Sequence, residues 1–193
     1  MRTVCVYCSS SAKIASVYFD ATARMAELFV AKGWRIVFGG GSLGLMGKLA
    51  DVALANGGKV RGIMPKFMQE VEWAHAGVED FIFTESMHER KAQLIANTDA
   101  LVALPGGTGT LEELFEAITL KRLGMYFKPI VILNTNGFYQ PLKEMLEKCV
   151  AENFMSDRNL QAWRFVDEPE AVLPAIADMP DWDADAITFA AMR

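Results

Sequence analysis

Residues 100–114 read ALVALPGGTGTLEEL, and this stretch decides the fold class. Five apolar residues run without a break into a proline and three glycines, and an acidic helix start follows. A continuous apolar run bounded by turn residues is what a strand covered on both faces looks like, and such strands belong to parallel sheets flanked by helices. The same punctuation recurs along the chain. Short strand-like runs fall at 3–7, 35–38, 59–64, 80–83, 100–104, 129–133 and 164–166. Helical patterns alternate with them near 14–32, 45–56, 86–97, 110–122, 138–152 and 168–177, with Gly33 and Gly57-Gly58 placed to stop the first two. The expected architecture is α/β and Rossmann-like: a mostly parallel sheet of about seven strands with helices on both faces.

Composition narrows the function. At 193 residues the chain fits a single domain, 1–193, and its acidic, weakly patterned tail over 178–193 reads as a peripheral segment or a subunit contact. A hydrophobic share of 52% against 22% charged residues suits a packed core and not a disordered chain. A formal charge of -5 gives no basic field, so nucleic acid and membrane surfaces are not expected partners. No apolar stretch approaches the ~20 residues of a membrane span, and MRTVCVYCSS lacks the long apolar segment of a signal peptide. The expectation is a cytoplasmic protein. Cys5 and Cys8 form a C-x-x-C, but within a strand, whereas a redox pair wants its first thiolate at a helix N-terminus. Two histidines, His75 and His88, and no second cysteine pair leave no zinc pattern, and no metal is expected.

In an open parallel sheet, ligands bind beyond the carboxyl ends of the strands. That rule selects residues 8–11, 39–47, 85–91 and 105–113. FGGGSLGLMG (38–47) contains G-x-G-x-x-G at Gly39, Gly41 and Gly44, between a strand and a helix. It lacks the acid expected ~20 residues on for a dinucleotide's ribose, so NAD is not supported. A glycine-rich turn open to a ligand, or a tight turn packed on a neighbour, remains. PGGTGT (105–110) sits likewise, with Thr108 or Thr110 available to cap a helix from Leu111. Its amides and the positive helix end suit a phosphate. Triphosphate hydrolysis finds no support, because Thr110 and Leu111 stand where a P-loop has its lysine.

Two helices carry the chemistry. Leu111, Leu114, Phe115 and Ile118 make an i, i+3, i+4, i+7 core stripe, which places Glu113 on the opposite side with Glu112 and Glu116 on its flanks. Acids in a first turn also simply complement the helix dipole. In ESMHERKAQLIAN (85–97), Met87, Arg90, Lys91 and Leu94 share one stripe, and Ala92, Ile95 and Ala96 offer another. The first would aim Arg90 and Lys91 over the sheet's carboxyl edge, where a carboxylate cluster beside an anion needs cations.

These stretches together resemble the Lonely Guy (LOG) family, often labelled "lysine decarboxylase-like". The serine run after the first strand, GGGSLGLMG, the M-x-x-R-K of Met87, Arg90 and Lys91, and the P-G-G-x-G-T-x-x-E of Pro105, Gly106, Gly107, Gly109, Thr110 and Glu113 match in order over roughly residues 2–177. The resemblance implies a homodimer that cleaves the N-glycosidic bond of nucleoside 5'-monophosphates, cytokinin riboside 5'-monophosphate or AMP, to free base and ribose 5-phosphate, with no cofactor. It implies Arg90 and Glu113 as the catalytic pair. It implies a substrate-binding set of Ser9, Gly40, Gly41, Gly44, Met87, Lys91, Gly106, Gly107, Thr108, Gly109 and Thr110, with Glu72 matched to an upstream acid. The alternative is a non-catalytic nucleotide-binding or sensor protein of the same fold.

Overall fold

In the computed structural model, which describes residues 1–70, 73–183 and 185–190, seven strands form one sheet. They are β1 (Thr3–Tyr7), β2 (Arg35–Phe38), β3 (Lys59–Pro65), β4 (Asp80–Thr84), β5 (Ala100–Ala103), β6 (Ile130–Leu133) and β7 (Arg164–Val166). Their order is β4-β3-β2-β1-β5-β6-β7, and every neighbouring pair is parallel. The helices are α1 (Ser16–Ala31), α2 (Gly44–Ala55), α3 (Met87–Ile95), α4 (Thr108–Arg122), α5 (Gln140–Ala151), α6 (Val172–Asp178) and α7 (Ile187–Ala190).

Alternation along each strand builds two cores. Val4 and Val6 of β1 join Met25 and Phe29 of α1, Leu45 and Leu49 of α2 and Ile176 of α6 on one face. Cys5 and Tyr7 join Leu94 of α3, Leu114 and Ile118 of α4 and Leu146 of α5 on the other. Successive strand side chains point to opposite faces, so the uninterrupted apolar runs are the signature of this two-sided cover. The same alternation disposes of the C-x-x-C, whose sulfurs belong to different cores. Burial first, and then the charge of Glu113, holds the Cys5 thiol well above its ordinary value.

The chain leaves β1 outward through β2, β3 and β4, then returns to place β5 at β1's other side. Between β1 and β5 the winding reverses, which opens a crevice where their carboxyl-end loops part. The reversal also decides which helices are neighbours. α3 and α4, before and after β5, lie on one face.

The tail is more structured than its weak patterning implies. The Trp182 indole donates to the Lys121 carbonyl at 2.6 Å, and Lys121 Nζ lies 5.4 Å from the ring centroid. No helix among the described residues is long and apolar enough to cross a membrane.

Candidate active site

A cavity of about 410 Å3 occupies the β1/β5 crevice. Its floor is the loop after β1, Cys8–Ser11; one wall is the start of α4, Gly107–Thr110 with Glu112 and Glu113; the other holds Met87 and Arg90 of α3 with Met46 and Met68.

α4 begins earlier than its apolar pattern suggests. Gly107 is the N-cap, no side chain caps it, and the helix starts at Thr108. Thr108 and Thr110 are therefore first-turn residues and not caps. Gly107, Thr108 and Gly109 are exposed, and the amides of a first turn have no partner within the helix. Those amides and the helix dipole face a cavity able to take an anion. Gly106 serves the fold: a Cβ there would lie 2.1 Å from Thr110 Oγ1, and Thr110 is buried beneath the turn. Cβ atoms on Gly107 or Gly109 would meet nothing within 4 Å.

The core stripe of α4 is Thr110, Leu114, Ala117, Ile118 and Lys121, rotated from the one expected. Phe115 is 42% exposed. At about 100° per residue, Glu113 lies beside this stripe and not opposite it; Glu112 and Glu116 are the outward pair. The Glu113 side chain is accordingly 12% exposed, against 54% for Glu112 and 32% for Glu116. The rotation buries Glu113 most deeply of the three, in a cavity wall whose more exposed part is Glu112.

Opposite stands Arg90. α3 is started by Ser86, whose Oγ accepts the Glu89 N–H at 3.2 Å, while Glu89 accepts the Glu85 N–H at 2.9 Å, a variant of the capping box. That start buries the stripe through Arg90 and Leu94 and leaves Ala92 and Ala96 exposed. Arg90 is 6% exposed. Its Nε donates to the Ile63 carbonyl at 3.2 Å and its Nη2 to the Gly39 carbonyl at 3.4 Å. Nη1 packs on the sulfurs of Met68 and Met87 and lies 3.9 Å from Glu113 Oε1. The ends of β2 and β3 thus aim a fixed guanidinium at the β1/β5 crevice. Arg90 and Glu113 come from different helices and meet only through the strand order.

The glycine loop at 39–47 takes a supporting place. Leu45 N–H and Met46 N–H of α2 donate to the Ser9 carbonyl at 2.9 and 3.3 Å, so the start of α2 holds the β1 loop. Gly44, at φ +61, packs on the backbone of Ser10 and Ser11. Gly40, at φ +83, packs on Phe81, and Gly41 bridges to Ala74. Gly39 lines the cavity, whereas Gly40, Gly41 and Gly44 are not among its lining residues. Ser9 is, and its Oγ accepts the Ser11 N–H at 3.0 Å. Glu72 lies outside the described residues.

Lys91 points elsewhere. Its Nζ contacts Glu112 Oε1 and lies 2.9 Å from Glu116 Oε2, and hydrogen bonds to Glu112 and then Glu116 raise its pKa. Tyr7 and Met68 line the cavity from outside the four stretches selected by the sheet rule, and Met46 lies within one of them without having been singled out. Burial first, and then unfavourable electrostatic interaction with Cys5 and Glu113, pushes the Tyr7 phenol well above its ordinary value. An apolar residue in a short 3-10 helix, such as Met68 in Lys66–Glu70, carries no pattern that marks a site.

Residues 46–176 match the family model described as "Possible lysine decarboxylase". The chain is 42% identical over 152 residues to the probable cytokinin riboside 5'-monophosphate phosphoribohydrolase LOGL1 of Oryza sativa subsp. japonica, covering 79% of this chain and 68% of that one. It is 41% identical over 155 residues to the cytokinin riboside 5'-monophosphate phosphoribohydrolase LOG2 of Arabidopsis thaliana, covering 80% and 73%. The molybdenum cofactor carrier protein of Chlamydomonas reinhardtii shares the fold, with a TM-score of 0.70 at 20% identity over 92% of this chain and 97% of that one. Matched over most of its length by the family model and by these relatives, the chain belongs to the Lonely Guy (LOG) family.

Proposed function

We propose that the protein hydrolyses the N-glycosidic bond of nucleoside 5'-monophosphates, cytokinin riboside 5'-monophosphate or AMP, to free base and ribose 5-phosphate. The observation that carries this reading is the Arg90–Glu113 pair, 3.9 Å apart and both lining one cavity, with the amide-bearing start of α4 in the same wall as Glu113. Breaking a ribosyl bond builds positive charge on the sugar, as in glycosidases. A carboxylate that is nearly buried is well suited to stabilise that charge or to orient the attacking water. The phosphate rests on the amides of Gly107–Thr110, one turn from Glu113. Arg90, with Nε and Nη2 committed to backbone carbonyls, presents Nη1 to the substrate and balances Glu113. The relatives named above are phosphoribohydrolases, which supports the same chemistry.

Decarboxylation of lysine suits this cavity poorly. That chemistry uses pyridoxal phosphate held by a lysine as a Schiff base, and among the described residues no lysine lines the cavity. The working form we propose is a cytoplasmic homodimer acting in cytokinin activation or AMP turnover. Incubation of the purified protein with AMP and with isopentenyladenosine monophosphate, followed by chromatography of the free base, tests the reading. Base release supports it. Tight nucleotide binding without release of base from either compound would replace it with the sensor alternative.

A further inference from the structure

α4 carries Glu112, Glu113 and Glu116 within about one turn, and like charges at that spacing repel. A phosphate entering the same cavity adds more negative charge. Two consecutive residues of α3 answer these acids in different directions. Arg90 turns to Glu113. Lys91, about 100° further round the helix, takes Glu112 and Glu116 together. The Lys91 side chain is 17% exposed and lies outside the cavity lining, whereas Glu112 is part of that lining. An ammonium between two carboxylates is committed to them: moving it toward a phosphate would leave Glu112 and Glu116 without their counter-charge.

We propose that Lys91 is a positioning residue for the Arg90–Glu113 pair. By clasping Glu112 and Glu116 it docks α3 on α4 and draws the Glu112 carboxylate aside, and it does not hold the substrate's phosphate. The proposal rests on the hydrolase reading above. Consecutive cations are useful here because one is aimed at the chemistry and the other fixes the distance at which it works.

The test compares Lys91→Met, Lys91→Arg, Glu112→Gln/Glu116→Gln and the combined triple variant with the parent protein. Turnover of AMP is measured together with the dissociation constant for ribose 5-phosphate by calorimetry, with thermal denaturation as a check of folding. Lys91→Met is expected to lose about tenfold or more in kcat while ribose 5-phosphate binding changes by less than about threefold. Lys91→Arg recovers kcat to within about threefold, because it can still bridge two carboxylates. The triple variant loses no more than the worse of its components, as expected of groups acting through one another. A tenfold loss of ribose 5-phosphate affinity in Lys91→Met with kcat kept would overturn the proposal in favour of a phosphate ligand, and unchanged kcat and affinity would overturn it outright. Failure of the unaltered protein to release base from either nucleotide would instead sink the hydrolase reading.

Discussion

Replacing Arg90 by methionine removes the guanidinium and keeps a stem of similar shape against Met68 and Met87. At 3.9 Å from Glu113 Oε1, a unit charge contributes about 4 kcal/mol of gross interaction at an effective dielectric of ~20. Loss of a single preorganised group of this kind costs about a hundred- to a thousandfold in kcat. A second cost falls on the fold, because the Ile63 and Gly39 carbonyls lose their donor. At about 1 kcal/mol net for each bond, Tm should drop by about 4–8 °C for a domain of this size. Arg90→Lys separates the two effects: its single nitrogen keeps the charge and cannot reach both carbonyls and the cavity together. It should therefore lose an intermediate, roughly ten- to hundredfold, share of kcat. The assay is release of adenine from AMP at saturating substrate, with melting curves run beside it. Arg90→Met retaining more than about a tenth of kcat in a folded protein would refute the reasoning.

Gly106→Ala forces a Cβ against Thr110 and should lower Tm and weaken AMP binding together; an unchanged melt would show that the first turn of α4 can shift freely. Gly109→Ala adds its Cβ in open space at a helical position where alanine is favoured by about 1 kcal/mol. Tm should hold or rise while calorimetry shows ribose 5-phosphate bound more weakly, and unchanged affinity would move the phosphate off this turn. Lys121 is 1% exposed, with its Nζ donating to the Lys128 carbonyl at 2.8 Å, and burial lowers its pKa to about 8. The unfolded chain holds that proton up to about pH 10.4, so stability should rise as pH climbs from about 8 toward 10, and below that range the charged form costs roughly 3 kcal/mol. Lys121→Met should flatten that rise and gain about 1–2 kcal/mol at pH 7 after losing the bond to Lys128, about 3–6 °C in Tm. A lower Tm would show that the contacts with Trp182 and the Lys128 carbonyl outweigh the burial.

Much of the architecture is legible because the two-sided sheet imposes its pattern locally. ALVA of β5 and IVIL of β6 are apolar at every position since both faces are covered, and Gly33 and Gly57 take the positive φ that ends α1 and α2. The site is legible less evenly. Arg90 shows itself as a cation on an apolar stripe. Glu113 is harder to orient, because Thr110 and Lys121, both polar, are core residues of α4, and Phe115, apolar, is not. Hydropathy alone therefore rotates the helix by the wrong amount. The partners of Lys91 depend on α3 lying next to α4, and the Met68 sulfur beside Arg90 on the segment that follows β3, neither of which any local spacing shows; Met87, three residues before Arg90 on the same stripe, is the local exception. The loop at 39–47 illustrates the same limit: its glycines read equally as a ligand turn or a packed one, and only the carbonyl of Ser9 on the α2 amides distinguishes the two.

The central claim is that Glu113 acts on the sugar while the turn before it holds the phosphate. Glu113→Gln keeps the size and removes the charge. The account predicts that release of base from AMP falls at least a hundredfold, with ribose 5-phosphate affinity and Tm close to those of the unaltered protein. Turnover within about threefold of the unaltered protein would contradict it.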